Sequence, residues 1–230
     1  MFYWWDPTYL LFIAPAVLLA LWAQFRVQSA YAAAGQVPAP LSGAAAARHI
    51  LDSAGLTGVA IDIVPGHLTD HYDPRDRVLR LSEEVFHGRS LAAVGIAAHE
   101  AGHALQHAWT YAPLVVRNLA VPIASFGSNA SILMLIFGAI LNRPWLFLAG
   151  IIAFSGVVVF QIVNLPVEFN ASARAKAQLA QLGIVGPDEM RYVNAVLNAA
   201  ALTYVAATLQ AILTLLYYLM RFRGMGRNRD

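Results

Sequence analysis

Cysteine is absent from the 230 residues, which excludes disulfides and thiolate ligands together and leaves any metal to histidine, aspartate and glutamate. Charge is scarce as well: Asp, Glu, Lys and Arg make up 12% of the chain and apolar residues 59%, against the quarter or so of charged residues in an ordinary soluble domain. That balance describes an integral membrane protein rather than a soluble one. The net charge of +2 is too slight for an electrostatic nucleic-acid binder, and no nucleic-acid partner is expected. Basic residues concentrate only at the end, as Arg221, Arg223, Arg227 and Arg229, where a juxtamembrane anchor is the natural reading. The start lacks the basic leader and small-residue cleavage site of a signal peptide and carries Asp6 instead, so the first apolar run reads as an uncleaved anchor.

Four apolar runs are long enough to cross a bilayer: residues 5–25, 119–141, 145–165 and 199–220, followed by the basic tail 221–230. Trp5 and Phe25 sit at the ends of the first as interfacial aromatics, and the third contains LFLAGIIAFSGVVVFQIV without a charge. Apart from Asp6 at the start of the first, the runs carry no Asp, Glu, Lys, Arg or His, which argues against a transporter or channel. Four crossings place both termini on one side and the mixed-polarity segments 26–118 and 166–198 on the other. The arginine tail assigns the termini to the cytoplasm and the two segments to the outside. Arg26, Arg117, Arg174 and Lys176 in those segments partly offset this bias.

Within 26–118, Ser42 caps a helix, GAAAARHILDSAG, that stops at Gly55. VAIDIV alternates like a strand, and HLTDHYDPRDRVLRLS reads as a hairpin turning at Asp73-Pro74-Arg75-Asp76. A further helix begins at Ser82 and Glu83, and another runs from Ser90 to Trp109. In 166–198, Asn164 is placed to cap a helix with Pro166 in its first turn, and after the Gly186-Pro187 break a helix begins near Asp188. The fold class is therefore mainly α, with about four transmembrane helices and a small α+β domain.

The helix from Ser90 contains His99-Glu100-Ala101-Gly102-His103, an HExxH sequence. Histidines four apart lie about 40° apart around a helix, so both imidazoles reach one metal from one face. Glu100 projects beside them, where a carboxylate can take the proton of a zinc-bound water that attacks a polarised carbonyl. Ala97, Ala98, Ala101, Gly102 and Ala104 leave room for close approach. Two imidazoles and a carboxylate in an apolar helix would otherwise carry a large desolvation cost. The pattern points to one Zn²⁺ per chain in a zincin-like catalytic domain, with the β-hairpin beside the HExxH helix. An edge strand there suits an extended peptide, so His67, His71 and Tyr72 are candidates for the substrate edge. A second metal cluster of His67, Asp70 and His71 is the alternative, disfavoured because Asp70 would point away from the two histidines.

A catalytic zinc takes three protein ligands. All seven histidines precede residue 108, and the carboxylates downstream of the motif are Glu168, Asp188, Glu189 and Asp230. Asp230 falls on the wrong side of the membrane, and Glu168, at the membrane boundary in NLPVEFNASARA, is preferred. His107 is the rival ligand, about 80° from His99 around the helix and thus poorly placed for one tetrahedral site. It reads instead as an outer or interfacial residue. Oxyanion donors are open among Tyr204, Arg174, Arg191 and Tyr72.

The stretches GHLTDHYDPRDRVLRLSE, VGIAAHEAGHALQHAWTYAPL and LPVEFNASARA, in this order among these spans, resemble the YugP-like family of membrane-bound neutral zinc metallopeptidases, more distantly similar to HtpX and the CAAX prenyl proteases. The resemblance implies a multi-pass zinc peptidase of the glutamate-ligand, gluzincin class in a prokaryotic cell membrane, with His99, His103 and Glu168 as ligands and Glu100 as base. Its partners would be the lipid bilayer and a peptide or membrane-protein substrate. The family commonly has Asp where this chain has Asn170; an acid there would accept a hydrogen bond from a ligating histidine, and Asn accepts it without the charge. A zinc-binding membrane scaffold or chaperone-like protein without turnover is the alternative function, opposed by the intact Glu100. Nothing in the sequence sets the oligomeric state.

Overall fold

The computed structural model describes residues 6 to 227 and is mainly helical, with one small sheet. Trp5, expected to open the first span, and Arg229 and Asp230 lie outside the described residues. Among the described residues, four helices are long and apolar enough to cross a membrane: α1 (Pro7–Gly35), α5 (Ala112–Ile140), α6 (Pro144–Gln181) and α7 (Met190–Arg227). The shorter elements are α2 (Gly43–Ser53), α3 (Glu83–His87), α4 (Leu91–Ala108) and strands β1 (Ala60–Val64), β2 (His71–Asp73) and β3 (Val78–Ser82).

The long helices run past the apolar segments that announce them. At about 1.5 Å per residue, the 38 residues of α6 measure about 57 Å, nearly twice a hydrocarbon core. The span and the segment after it are thus one helix. This corrects the expectation that a new helix begins at Asn164-Leu165-Pro166. Pro166 lies inside α6, and the Asn164 side chain accepts from Arg117 Nε at 3.3 Å instead of capping. Pro15 and Pro122 are likewise carried inside α1 and α5. In apolar surroundings a helix tolerates a proline because leaving the helical conformation would free still more backbone groups.

The chain divides into two compact units that interleave along the sequence. One comprises Met1–Trp22, Val116–Leu165 and Thr203–Asp230, the other Ala23–Val115 and Pro166–Leu202. In the first, Gly138 and Gly150 bring α5 and α6 close: a Cβ on Gly138 would stand 2.5 Å from the Phe147 backbone nitrogen, and one on Gly150 2.8 Å from Leu135. Asp6 at the start of α1 accepts a 2.6 Å hydrogen bond from the Tyr217 hydroxyl of α7.

The second unit is built around α4. Ser42 caps α2, accepting from the Ala45 N–H at 3.3 Å, and Gly55 ends it in the left-handed region at φ +74°. Ile50 and Leu51 of α2, Leu79 and Leu81 of β3, and Leu91, Val94 and Leu105 of α4 are fully buried together with Leu179 of α6 and Val193 of α7. The sheet order is β1-β3-β2, with β1 parallel and β2 antiparallel to β3. The hairpin turns at Asp73-Pro74-Arg75-Asp76 as expected, its carboxylate Asp73 accepting from the Arg75 N–H at 2.9 Å and pairing with Arg80. His67 is not on the strand, which begins at His71, so the alternation argument does not extend to it.

Candidate metal centre

The site begins with a close helix crossing. Ser90 caps α4, accepting from Ala93 N–H at 3.3 Å, and Ala97, Ala98 and Ala101 bury its flank completely. A Cβ on Gly102 would stand 2.6 Å from the Ala171 carbonyl oxygen, so only glycine lets the α6 backbone lie against the middle of HExxH. That approach sets Glu168, one turn before Ala171 on α6, opposite the two histidines of α4.

The imidazoles of His99 and His103 stand nearly perpendicular, at 88° with centroids 4.8 Å apart. Their Nε2 atoms point at one atom, Glu168 Oε2, at 3.3 and 3.7 Å. Their Nδ1 atoms are engaged elsewhere, His99 with Ser172 Oγ at 3.1 Å and His103 with Gln106 Oε1 at 3.0 Å. The three donor atoms lie within 4.8 Å of one another, and no second cluster of three such residues is present among the described residues. Glu168 is 4% exposed and its Oε2 has no hydrogen-bond partner. A buried carboxylate oxygen without a hydrogen bond is costly unless a cation answers it. Two imidazoles and one carboxylate are a donor set that zinc accepts, so these residues fit the metal.

Glu100 stands outside the donor set. It is buried, and its Oε2 accepts the Tyr72 backbone N–H at 3.1 Å. Burial pushes its carboxyl above the ordinary carboxylate value, opposed by His99 and His103. Burial pulls His103 the other way, yet the carboxylates of Glu168 and Glu100 outweigh it and hold the imidazole above its ordinary value.

Other expected residues sort themselves around this centre. His107 is not among the three donors; its Nδ1 meets the Tyr72 hydroxyl at 2.8 Å. Asn170 hydrogen-bonds to neither histidine. Its Oδ1 accepts from Gln106 Nε2 at 3.0 Å and from Arg174 Nε at 2.7 Å, which corrects the expected direct bond to a ligand. The Arg174 guanidinium lies over the Trp109 ring at 4.7 Å. His67 pairs with Glu84 at 2.8 Å, His71 Nδ1 lies 2.8 Å from the Thr69 carbonyl, and Asp70 accepts from the Ser82 N–H at 2.7 Å. Arg191 is engaged with Tyr192, and Tyr204 belongs to the other unit. The sequence reading overlooked Gln106 and Ser172. Spacing offered a signal for both, since Gln106 follows His103 by three residues and Ser172 follows Glu168 by four, placing each on the face of its ligand.

Residues 9–223 match the family described as "Putative neutral zinc metallopeptidase". The chain belongs to this family. Among curated proteins it is similar to "Putative membrane protease YugP" of Bacillus subtilis (strain 168), 47% identical over 223 residues that cover 96% of this chain and 99% of the relative. No solved structure matches it. Family membership and the four apolar helices agree on a membrane protein of a zinc peptidase family, and the cluster of His99, His103 and Glu168 is compatible with that metal.

Proposed function

We propose that this chain is a zinc-dependent endopeptidase of the glutamate-ligand, gluzincin class, acting on membrane-associated polypeptides. The convergence of His99 Nε2 and His103 Nε2 on the buried Glu168 Oε2, which has no hydrogen bond of its own, supports it most directly. Bound there, zinc supplies Lewis acidity that polarises a peptide carbonyl and makes water acidic enough to deprotonate near neutral pH.

The rest belongs to the chain's own groups. Glu100, aimed by the Tyr72 N–H, takes the proton from the attacking water and returns it to the departing amine. It has no duty as a ligand, and its intact carboxylate beside the donor set favours turnover over a scaffold role. The outer edge of β2, away from β3, also offers an extended peptide a place to pair. Membrane-associated substrates are favoured because Glu168 lies three residues beyond Leu165, the last residue of the charge-free membrane segment of the same helix.

The test is zinc content and peptide or casein cleavage by the detergent-purified protein. Glu100→Gln is expected to keep stoichiometric zinc and lose activity by about 10²–10⁴-fold. Glu168→Ala is expected to weaken zinc by more than about 100-fold, the upper range for loss of a mere outer partner. Zinc binding without cleavage of any substrate would move the protein to the scaffold or chaperone-like reading, and unchanged affinity in Glu168→Ala would return His107 to consideration.

A further inference from the structure

Gln106 is fully buried one turn beyond His103, and its side-chain amide is engaged on every side. Its Nε2 donates to the Val167 carbonyl at 2.7 Å and to Asn170 Oδ1 at 3.0 Å, while its Oε1 faces His103 Nδ1 at 3.0 Å. Asn170 Oδ1 in turn accepts from Arg174 Nε at 2.7 Å. We propose that Gln106, backed by Asn170 and Arg174, is a positioning device that holds His103 as the Nδ1-protonated tautomer, its Nε2 lone pair free for a metal before one arrives.

The polarity of this chain of hydrogen bonds is decided at its ends, where each group has one role. A guanidinium can only donate, so Asn170 must present its carbonyl oxygen to Arg174. A backbone carbonyl can only accept, so Gln106 must present its NH₂ to Val167, and the same NH₂ then meets Asn170 Oδ1. The amide has one oxygen left, an acceptor, and it faces His103. Nδ1 must therefore carry a hydrogen, and in the neutral ring Nε2 is bare. Gln106 also ties α4 to the residue immediately before Glu168, so one buried amide orients one ligand and anchors the backbone of another.

His99 has no such device. Its Nδ1 partner is the Ser172 hydroxyl, which donates or accepts with equal ease. His103 is thus set in advance, while His99 is free to settle when the metal binds.

The proposal rests on the metal site argued above, but its first readout needs no metal. In zinc-free protein with labelled histidine, at a pH high enough for the ring to be neutral, the ¹⁵N resonances of His103, assigned by their loss in His103→Asn, should report the Nδ1-protonated form in the wild type. Gln106→Met should mix the two tautomers and weaken zinc, measured by chelator competition, by about 10–100-fold. Asn170→Leu should move both quantities the same way and less, Asn170→Asp should keep the tautomer with affinity within about threefold, and Ser172→Ala should leave the His103 tautomer unchanged. If Gln106→Met does not fold, Asn170→Leu carries the test. An unchanged tautomer in a folded variant overturns the proposal, even where zinc weakens, because the amide would then be serving packing alone. Failure of the wild type to bind zinc would sink the peptidase reading and leave the tautomer result to decide this one.

Discussion

At the scale of single residues, Gly102 bears the tightest constraint in the site. Gly102→Ala places a methyl group 2.6 Å from the Ala171 carbonyl oxygen, and backbone cannot swing aside as a side chain does. The variant is expected to lose about 1–3 kcal/mol of stability and, because α6 must retreat, to bind zinc more weakly; a thermal melt and a chelator titration on the same sample check both. How legible such residues are depends on how local their signal is. His99, Glu100 and His103 are readable because a helix turns four residues of spacing into a shared face. Glu168 was reached by elimination, with too few carboxylates downstream to choose among. Gln106 and Ser172 were not, because a polar residue in an apolar helix says that it has a partner without saying which. Asn170 shows the same limit: its acceptor role was anticipated, but its partner proved to be Gln106 rather than a histidine.

Elements show where local and long-range information part. The β2–β3 turn is written in Asp73-Pro74, whereas the parallel pairing of β1 with β3 joins strands separated by the hairpin and leaves no local mark. The break expected at Pro166 failed for the opposite reason, a local rule overridden by apolar surroundings. The hairpin also carries a pH dependence. Arg80, with help from the Arg75 and Asp76 N–H groups, holds the Asp73 carboxyl below its ordinary value. The folded pKa therefore lies below the unfolded one of about 3.9, so the pair's contribution is complete above that value and is lost as pH falls through the folded pKa. Amide exchange across the β2–β3 ladder, corrected for intrinsic rates, should quicken on acidification below about pH 4 while α2 stays protected, and Arg80→Met should shrink that pH dependence. Arg77 closes the same turn in the left-handed region at φ +54°. Arg77→Gly should therefore raise stability by about 0.5–1 kcal/mol in a denaturant melt.

For the whole molecule, the missing cysteines become a tool, since any cysteine introduced is the only thiol present. Four crossings in series predict that Ser53→Cys and Asp188→Cys are labelled by an impermeant maleimide from one face of sealed vesicles and Asn142→Cys from the other. Labelling of the first two on intact cells would support an outward-facing site, as the arginine tail leads one to expect, and protection of both would reverse that assignment. The interleaving of the two units has a consequence in time as well. Ribosomes finish His99 and His103 before the membrane segment 116–165 and reach Glu168 only after it. In the proposed site, a nascent chain arrested before residue 168 would have two of the metal donors and the base but no third ligand, so completing the donor set would wait on synthesis of the apolar segment 116–165. On the proposed reading, the capacity to cut a peptide bond cannot precede the membrane segment that separates the two histidines from Glu168.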